Sequence, residues 1–321
     1  MKNYIPTNPE IWTGRTSDKE LYLHEKVRHI NLKEDGLSKF TDQTFAILGY
    51  VCDEGVKRNQ GRIGASEGPD AIRKQLAKMP NHLSDDTALF EMGNIQCINA
   101  NMEAAQSSLA ETVSRLLELN TFPILLGGGH DIAYGHFNGI KNQLASRSKN
   151  KTIGIVNFDA HFDLRSNKSG NNSGTPFYQI AQDLSAENTK LKYLCLGIRK
   201  DANIKSLFDT AKNLNVGVIE NKNFNLHHLA NIKIKLERFI KEADYLCTTI
   251  DLDGFSSAYA PGVSAPSPMG FSPEIVMECL EIIRDSEKMI SLDIAEMNPT
   301  YDIDDQTAKL AASLIHFVLH Q

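Results

Sequence analysis

The sequence predicts an α/β protein built on a central parallel sheet with helices on both faces. Three observations carry that reading. Short apolar runs rich in β-branched residues recur along the chain, helix-length segments lie between them, and polar residues cluster directly after several runs. The runs cover 45–51, 122–126, 152–158, 192–196, 216–219, 245–250 and 289–294. Most are nearly continuous rather than alternating, as strands buried on both faces require. Between them, 102–119, 231–241, 273–284 and 305–320 have the length and spacing of helices. No Pro/Gly/Ser linker divides the 321 residues and no repeat is apparent, so 1–321 reads as one domain, with about 1–40 an extension packed on it. The loosest stretch, 166–174, is a run of Ser, Asn, Lys and Gly that reads as a loop beside a strand end.

Composition excludes several classes. A net charge of −6 offers no basic face for nucleic acid. No segment is apolar for the length of a membrane span, and Met1 to Pro6 has no apolar signal core behind its lysine. The five cysteines (Cys52, Cys97, Cys195, Cys247 and Cys279) form no C-x-x-C pair and several lie in apolar runs, which points to free thiols in a reducing, cytoplasmic setting.

In open parallel sheets, ligands bind beyond the carboxyl ends of the strands. Three such ends are rich in metal-ligand chemistry. Gly127-Gly128-Gly129-His130-Asp131 follows one run, its glycines letting the backbone turn and present His130. Asp159-Ala160-His161-Phe162-Asp163 follows another, and in an extended segment its three ligand types would share one side. Asp251-Leu252-Asp253 follows a third. One aspartate after a strand is usually a cap, and one histidine usually a structural hydrogen bonder. Six such residues at three rim positions are better explained together. Four buried carboxylates would repel one another unless compensated, and two divalent cations supply the matching charge. The oxygen-rich donor set suits Mn²⁺ better than Zn²⁺, and two ions about 3.5 Å apart can activate a water between them.

Other polar clusters have simpler explanations. Asp302-Ile303-Asp304 precedes a helical segment and reads as capping. His227-His228 has no acidic neighbour and reads as surface, while His136, in a helix, reads as packing or support. The glycines at 127–129 do not make a dinucleotide fingerprint, because position 132 is Ile.

The motifs at 12–15 (WTGR), 53–62 (DEGVKRNQGR), 127–135 (GGGHDIAYG), 157–165 (NFDAHFDLR), 173–177 (SGTPF), 260–265 (APGVSA) and 293–299 (DIAEMNP) run over nearly the whole chain. Together they resemble the ureohydrolase family of arginases and agmatinases, and within it the branch that acts on N-formimidoyl-L-glutamate. The resemblance implies an arginase-like, three-layer fold with an eight-stranded parallel sheet between helices, and a binuclear centre of two Mn²⁺ per subunit. It assigns His130, Asp159, Asp163 and Asp251 to one ion and Asp159, His161, Asp251 and Asp253 to the other. The implied reaction is hydrolysis of an amidine or guanidine C–N bond; for this branch it yields L-glutamate and formamide in histidine degradation. Asp163 would accept a hydrogen bond from the attacking water, and Glu296 would pair with the substrate's cationic nitrogens. The family also implies a small-molecule substrate and a homo-oligomer.

Two departures narrow the reading. Ser173 stands where guanidine-hydrolysing relatives carry a histidine, which makes a guanidine substrate less fitting. Arg165, two residues past Asp163, could bind a carboxylate with a two-pronged fork, its bland alternative being a structural salt bridge. Asn172, Ser173 and Arg199 are further candidate contacts. The competing expectations are an agmatinase-like hydrolase releasing urea and an idle binding subunit, against which the retained ligand types argue. An acyl-lysine deacetylase on the same fold is disfavoured by the ligand pattern.

Overall fold

In the computed structural model, residues 2–34, 37–147 and 151–320 are described; Met1, with which the N-terminal reading began, lies outside them. The strands are β1 (Tyr4–Ile5), β2 (Arg28–His29), β3 (Thr44–Val51), β4 (Ala88–Gln96), β5 (Phe122–Leu126), β6 (Ile153–Phe158), β7 (Tyr193–Ile198), β8 (Gly217–Glu220), β9 (Tyr245–Asp251) and β10 (Met289–Ala295). They join in one sheet of order β1-β4-β3-β5-β10-β9-β6-β7-β8, with β2 also on β4. The eight strands from β3 to β10 are mutually parallel. The sheet therefore differs from the expected eight strands by two additions: β1 and β2, two residues each, come from the N-terminal segment and pair with β4, β1 antiparallel to it.

The helices are α1 (Leu23–Lys26), α2 (Glu54–Arg58), α3 (Gly68–Leu76), α4 (Met102–Glu118), α5 (Ile132–Arg147), α6 (Pro176–Ala186), α7 (Lys205–Asn213), α8 (Leu229–Lys241), α9 (Pro273–Asp285) and α10 (Gln306–Leu319). Alternation along the strands explains their near-continuous hydrophobicity. In β3, Phe45 and Ile47 face a core shared with Ile72 and Leu76 of α3, Leu236 of α8, Val276 of α9 and Ile315 of α10. Ala46, Leu48 and Tyr50 face the opposite core, with Leu109 of α4, Ile140 of α5, Ile180 of α6 and Leu207 of α7. Both faces of the sheet are thus covered, as a parallel sheet requires. Asp302 caps α10, accepting from the backbone N–H of Thr307 (2.9 Å) and Ala308 (3.1 Å). Among the described residues no helix is long and apolar enough to cross a membrane, and all five cysteines are free.

Strand β4 escapes the apolar-run pattern because Glu91, Gly93 and Asn94 interrupt it. The interruption serves the fold. Arg73 on α3 is fully buried and needs a carboxylate, and Glu91 supplies it through both oxygens at 2.8 Å. Asn94 Oδ1 accepts a further Arg73 bond at 2.7 Å. The register between β3 and β4 shifts here, and Gly93 takes a φ of +82° that glycine adopts without a Cβ clash. Glu91 also accepts from the Thr7 hydroxyl (2.8 Å) and the Trp12 indole N–H (3.0 Å), which fastens the N-terminal segment to the sheet edge.

Removing one partner of a buried pair strands the other's charge, at a cost of about 3–5 kcal/mol. Glu91→Ala should lower unfolding stability by roughly that amount in urea titrations and expose the first dozen residues to protease. Glu91→Leu combined with Arg73→Met should recover part of the loss; equal stability of Glu91→Ala and the parent chain would contradict this account.

Candidate metal centre

The candidate ligands rise from the carboxyl ends of three strands, and the middle of the sheet brings those ends together. Strands β5, β10, β9 and β6 are consecutive neighbours, and after them come His130, Glu296, the Asp251/Asp253 pair and the Asp159-to-Asp163 segment. The registers align Ala295 with Asp251 and Phe158 with Ile250, so the ligands emerge at one level. His130 is reached through the triple glycine, where Gly128 and Gly129 donate to the carbonyls of Tyr50 and Cys52 at 2.9 Å. A Cβ on Gly128 would sit 1.8 Å from the Cys52 carbonyl oxygen, so close approach to the end of β3 demands glycine here.

The second segment converges differently from the extended geometry expected of it. The strand ends at Phe158, the Asp159 carboxylate accepts the His161 backbone N–H at 2.7 Å, and Asp163 adopts a φ of +47°. A bend and a left-handed residue, rather than strand alternation, aim the three ligands. Asp251 likewise accepts the Asp253 N–H at 2.8 Å across a single 3-10 turn.

The ligand atoms of His130, Asp159, Asp163 and Asp251 lie within 4.8 Å of one another, as do those of Asp159, His161 and Asp253. His130 Nδ1 stands 2.8 Å from Asp163, 3.1 Å from Asp251 and 3.2 Å from Asp159. His161 Nδ1 stands 3.3 Å from Asp253 and 3.5 Å from Asp159. Asp159 belongs to both groups and Asp251 to the first, and the family pattern implies that these two carboxylates would be the shared ligands.

Hydrogen bonding behind His130 identifies its tautomer. The Thr249 hydroxyl donates to Asp293 at 2.7 Å, so its oxygen must accept from His130 Nε2–H at 2.9 Å. In the neutral ring, the form that ligates a cation, Nδ1 then carries the lone pair. Asp293 is in turn held by His136 Nδ1 at 2.6 Å, and His136 Nε2 meets Ser291 at 2.6 Å. His136 is thus a support, as its sequence position suggested. Asn157 similarly holds Asp159, donating at 3.0 Å.

The electrostatics are those of buried carboxylates crowded against two imidazoles. Burial alone would push the His130 imidazole down, but Asp251, Asp159 and Asp163 raise it well above its usual range. His161 is raised against its own burial by Asp253 and Asp159. Burial and the Asp159 charge push Asp163 up; burial, Asp253 and Asp159 do the same to Asp251. Asp159 resists burial and is lowered, because both histidines bond to it. His130 Nδ1 and Asp253 Oδ1 are buried with no hydrogen-bond partner among the described residues. A lone pair and an orphaned carboxylate oxygen aimed into a cluster of anions fit divalent cations with oxygen and imidazole ligands.

Glu296 lines the same cavity. Its carboxylate accepts the His130 backbone N–H at 2.9 Å, its φ is +68°, and burial with the Asp253 charge pushes it up to about 8. A left-handed glutamate is a strained residue held by its surroundings. The cavity, of about 310 Å³, is also lined by Arg165, Ser173, Asn59, Arg62 and Asn203. Among the described residues the Arg165 side chain has no ion pair, so the structural salt bridge is not formed. The structure does not bring Asn172 or Arg199 to this cavity. Asn172 Oδ1 caps the Gly174 N–H at 2.9 Å, and Arg199 pairs with Asp201. Sequence reasoning missed Asn59, Arg62 and Asn203; the first two sit in the 53–62 motif, whose polar residues follow β3.

Residues 43–320 match the family described as Arginase family. The chain is 42% identical to a formimidoylglutamase of Clostridium tetani (strain Massachusetts / E88), covering 99% of this chain and 96% of that protein. It is 38% identical to a formimidoylglutamase of Aeromonas hydrophila subsp. hydrophila, covering 98% and 99%. In fold it is similar to the crystal structure of formimidoylglutamase from Bacillus subtilis subsp. subtilis str. 168, with a TM-score of 0.80 at 23% identity, covering 96% of this chain and 94% of that one.

Groups that orient metal-ligating histidines are worth about 10–100-fold in affinity. Thr249→Val should weaken divalent-ion binding by about that factor in competition titrations against a fluorescent chelator, with the circular dichroism spectrum unchanged. Undiminished affinity would show that the Thr249–Asp293–His136 chain does not set the ring.

Proposed function

The chain belongs to the arginase family, and from that premise we propose that it hydrolyses N-formimidoyl-L-glutamate to L-glutamate and formamide, with two Mn²⁺ ions at the cluster. It is a hydrolase of amidine C–N bonds acting on a small molecule. The observation that carries the substrate reading is the composition of one cavity, lined by the carboxylates and imidazoles of the cluster together with Arg165, Ser173 and Asn59. Full-length similarity to formimidoylglutamases supports it.

His130, Asp159, Asp163, Asp251, His161 and Asp253 would hold the ions, with Asp159 shared. When bound, two such ions lower the pKa of a water and stabilise developing negative charge. The chain's own residues supply the rest. Asp163, held in a left-handed conformation, offers a carboxylate oxygen to orient the attacking water. Glu296, fixed through the His130 N–H, presents its other oxygen to the amidinium nitrogens and places the formimidoyl carbon. Arg165 takes a carboxylate of the glutamyl group, aided by Ser173. The reading treats 1–321 as one catalytic domain, cytoplasmic and assembled as a homo-oligomer; Arg199 and Asn172 have no direct part in it.

Purified protein supplied with Mn²⁺ should release formamide and glutamate from N-formimidoyl-L-glutamate, and removal of the ions by chelator should abolish turnover. Brisk urea release from agmatine, with no formamide from the formimidoyl substrate, would replace this reading by the agmatinase-like one. Asp163→Asn keeps a residue type that tolerates positive φ, so folding should be unchanged while kcat falls by about 10²–10⁴-fold. Near-normal turnover would place the chemistry elsewhere. Arg165→Ala should raise KM far more than it alters metal content.

A further inference from the structure

The cavity holds a second guanidinium that its sequence position did not single out. Arg62 is anchored on three sides: its backbone N–H donates to Ser264 Oγ at 2.8 Å, Nε donates to the Ser264 carbonyl at 3.0 Å, and Nη2 donates to the Val263 carbonyl at 2.5 Å. Its guanidinium carbon lies 3.8 Å from the centroid of the Tyr301 ring. These contacts fix the plane of the fork without neutralising it. Among the described residues neither Arg62 nor Arg165 pairs with a carboxylate, although both line the cavity. Arg165 has its own donor company, since a Cβ on Gly174 would meet Arg165 Nε at 3.1 Å and Asn59 Nδ2 at 3.2 Å, and Asn59 donates to Ser173 Oγ at 3.2 Å.

Arg165 is exposed and Arg62 half-buried, and one anionic group on a ligand can engage only one of these two forks. A fork held rigid by carbonyls and an aromatic face loses little freedom when it binds a carboxylate in two parallel bonds. We propose that Arg62 binds the substrate's second carboxylate, so that this site selects amidines carrying two carboxylates: Arg165, Asn59 and Ser173 take one and Arg62 the other. The proposal rests on the reading above, whose substrate already carries two carboxylates, and deepens it by assigning the second of them to Arg62 as the residue that sets specificity for it.

Three substrates test it with the Mn²⁺-loaded enzyme: N-formimidoyl-L-glutamate, N-formimidoyl-4-aminobutyrate, which lacks the α-carboxylate, and N-formimidoyl-L-2-aminobutyrate, which lacks the γ-carboxylate. The parent enzyme should favour the first by about 10²-fold or more in kcat/KM over each of the others. Arg62→Met should lower kcat/KM for the full substrate by a comparable factor, mainly through KM, and cost nothing further on one truncated substrate. Arg165→Met should show the same indifference toward the other. Equal losses on all three substrates, or parent activity on the truncated ones, would overturn the proposal. Arg62→Lys, which keeps the charge without the fork, should fall between and carries the test if Arg62→Met does not fold. Calorimetry gives a readout independent of turnover: L-glutamate should bind the parent protein more tightly than 4-aminobutyrate, and Arg62→Lys should narrow that gap, an unchanged gap counting against Arg62. If the parent protein hydrolyses none of the three, the amidine-hydrolase reading itself fails and takes this one with it. If it hydrolyses the full substrate and discriminates, but Arg62 variants do not change that discrimination, only the assignment to Arg62 falls.

Discussion

Everything at the centre of this molecule depends on the concentration of carboxylate charge at the ends of two adjacent strands, β6 and β9. Asp159, Asp163, Asp251 and Asp253 lie within reach of two imidazole nitrogens, almost without solvent. Such a cluster cannot persist as free anions in a medium of low polarity. The protein answers partly with its own groups, directing backbone N–H donors at Asp159 and Asp251, and leaves the remainder for cations. The unpartnered His130 Nδ1 and Asp253 Oδ1 are where that remainder is visible.

Holding the cluster requires structure that contributes nothing to packing. Asp163 and Glu296 both carry positive φ, a conformation costing non-glycine residues of order 1 kcal/mol or more. Glu296 is nevertheless fixed by the His130 N–H, and His130 by a relay through Thr249, Asp293 and His136 behind it. The parallel sheet makes this affordable, because its two apolar faces stabilise the strands independently of what their ends carry.

One cavity is lined both by the anions and imidazoles of the cluster and by Arg62 and Arg165, which no protein carboxylate answers among the described residues. That composition is complementary to a molecule with a cationic head and anionic substituents. The buried Arg73–Glu91 pair at the edge of the sheet shows the alternative fate of a guanidinium in this chain, satisfied entirely from within.

The sequence by itself determined the parallel core, because strands buried on both faces must read as continuous apolar runs, and it pointed to the six candidate ligands, because all lie within a few residues of the end of such a run. The 88–96 strand was hidden, since the residues that bind Arg73 break its apolar pattern, and the two short N-terminal strands have too few residues to show any pattern. Tertiary structure alone decided the rest. Asp163 reaches the cluster through a left-handed bend that no periodicity encodes, and Arg199 turns to Asp201 instead of the cavity. Arg62 lines the cavity where Val263 and Ser264, far along the chain, hold its guanidinium. Residue type and local period survive in one dimension; the partner that claims a side chain is set only when strands far apart in sequence become neighbours in the sheet.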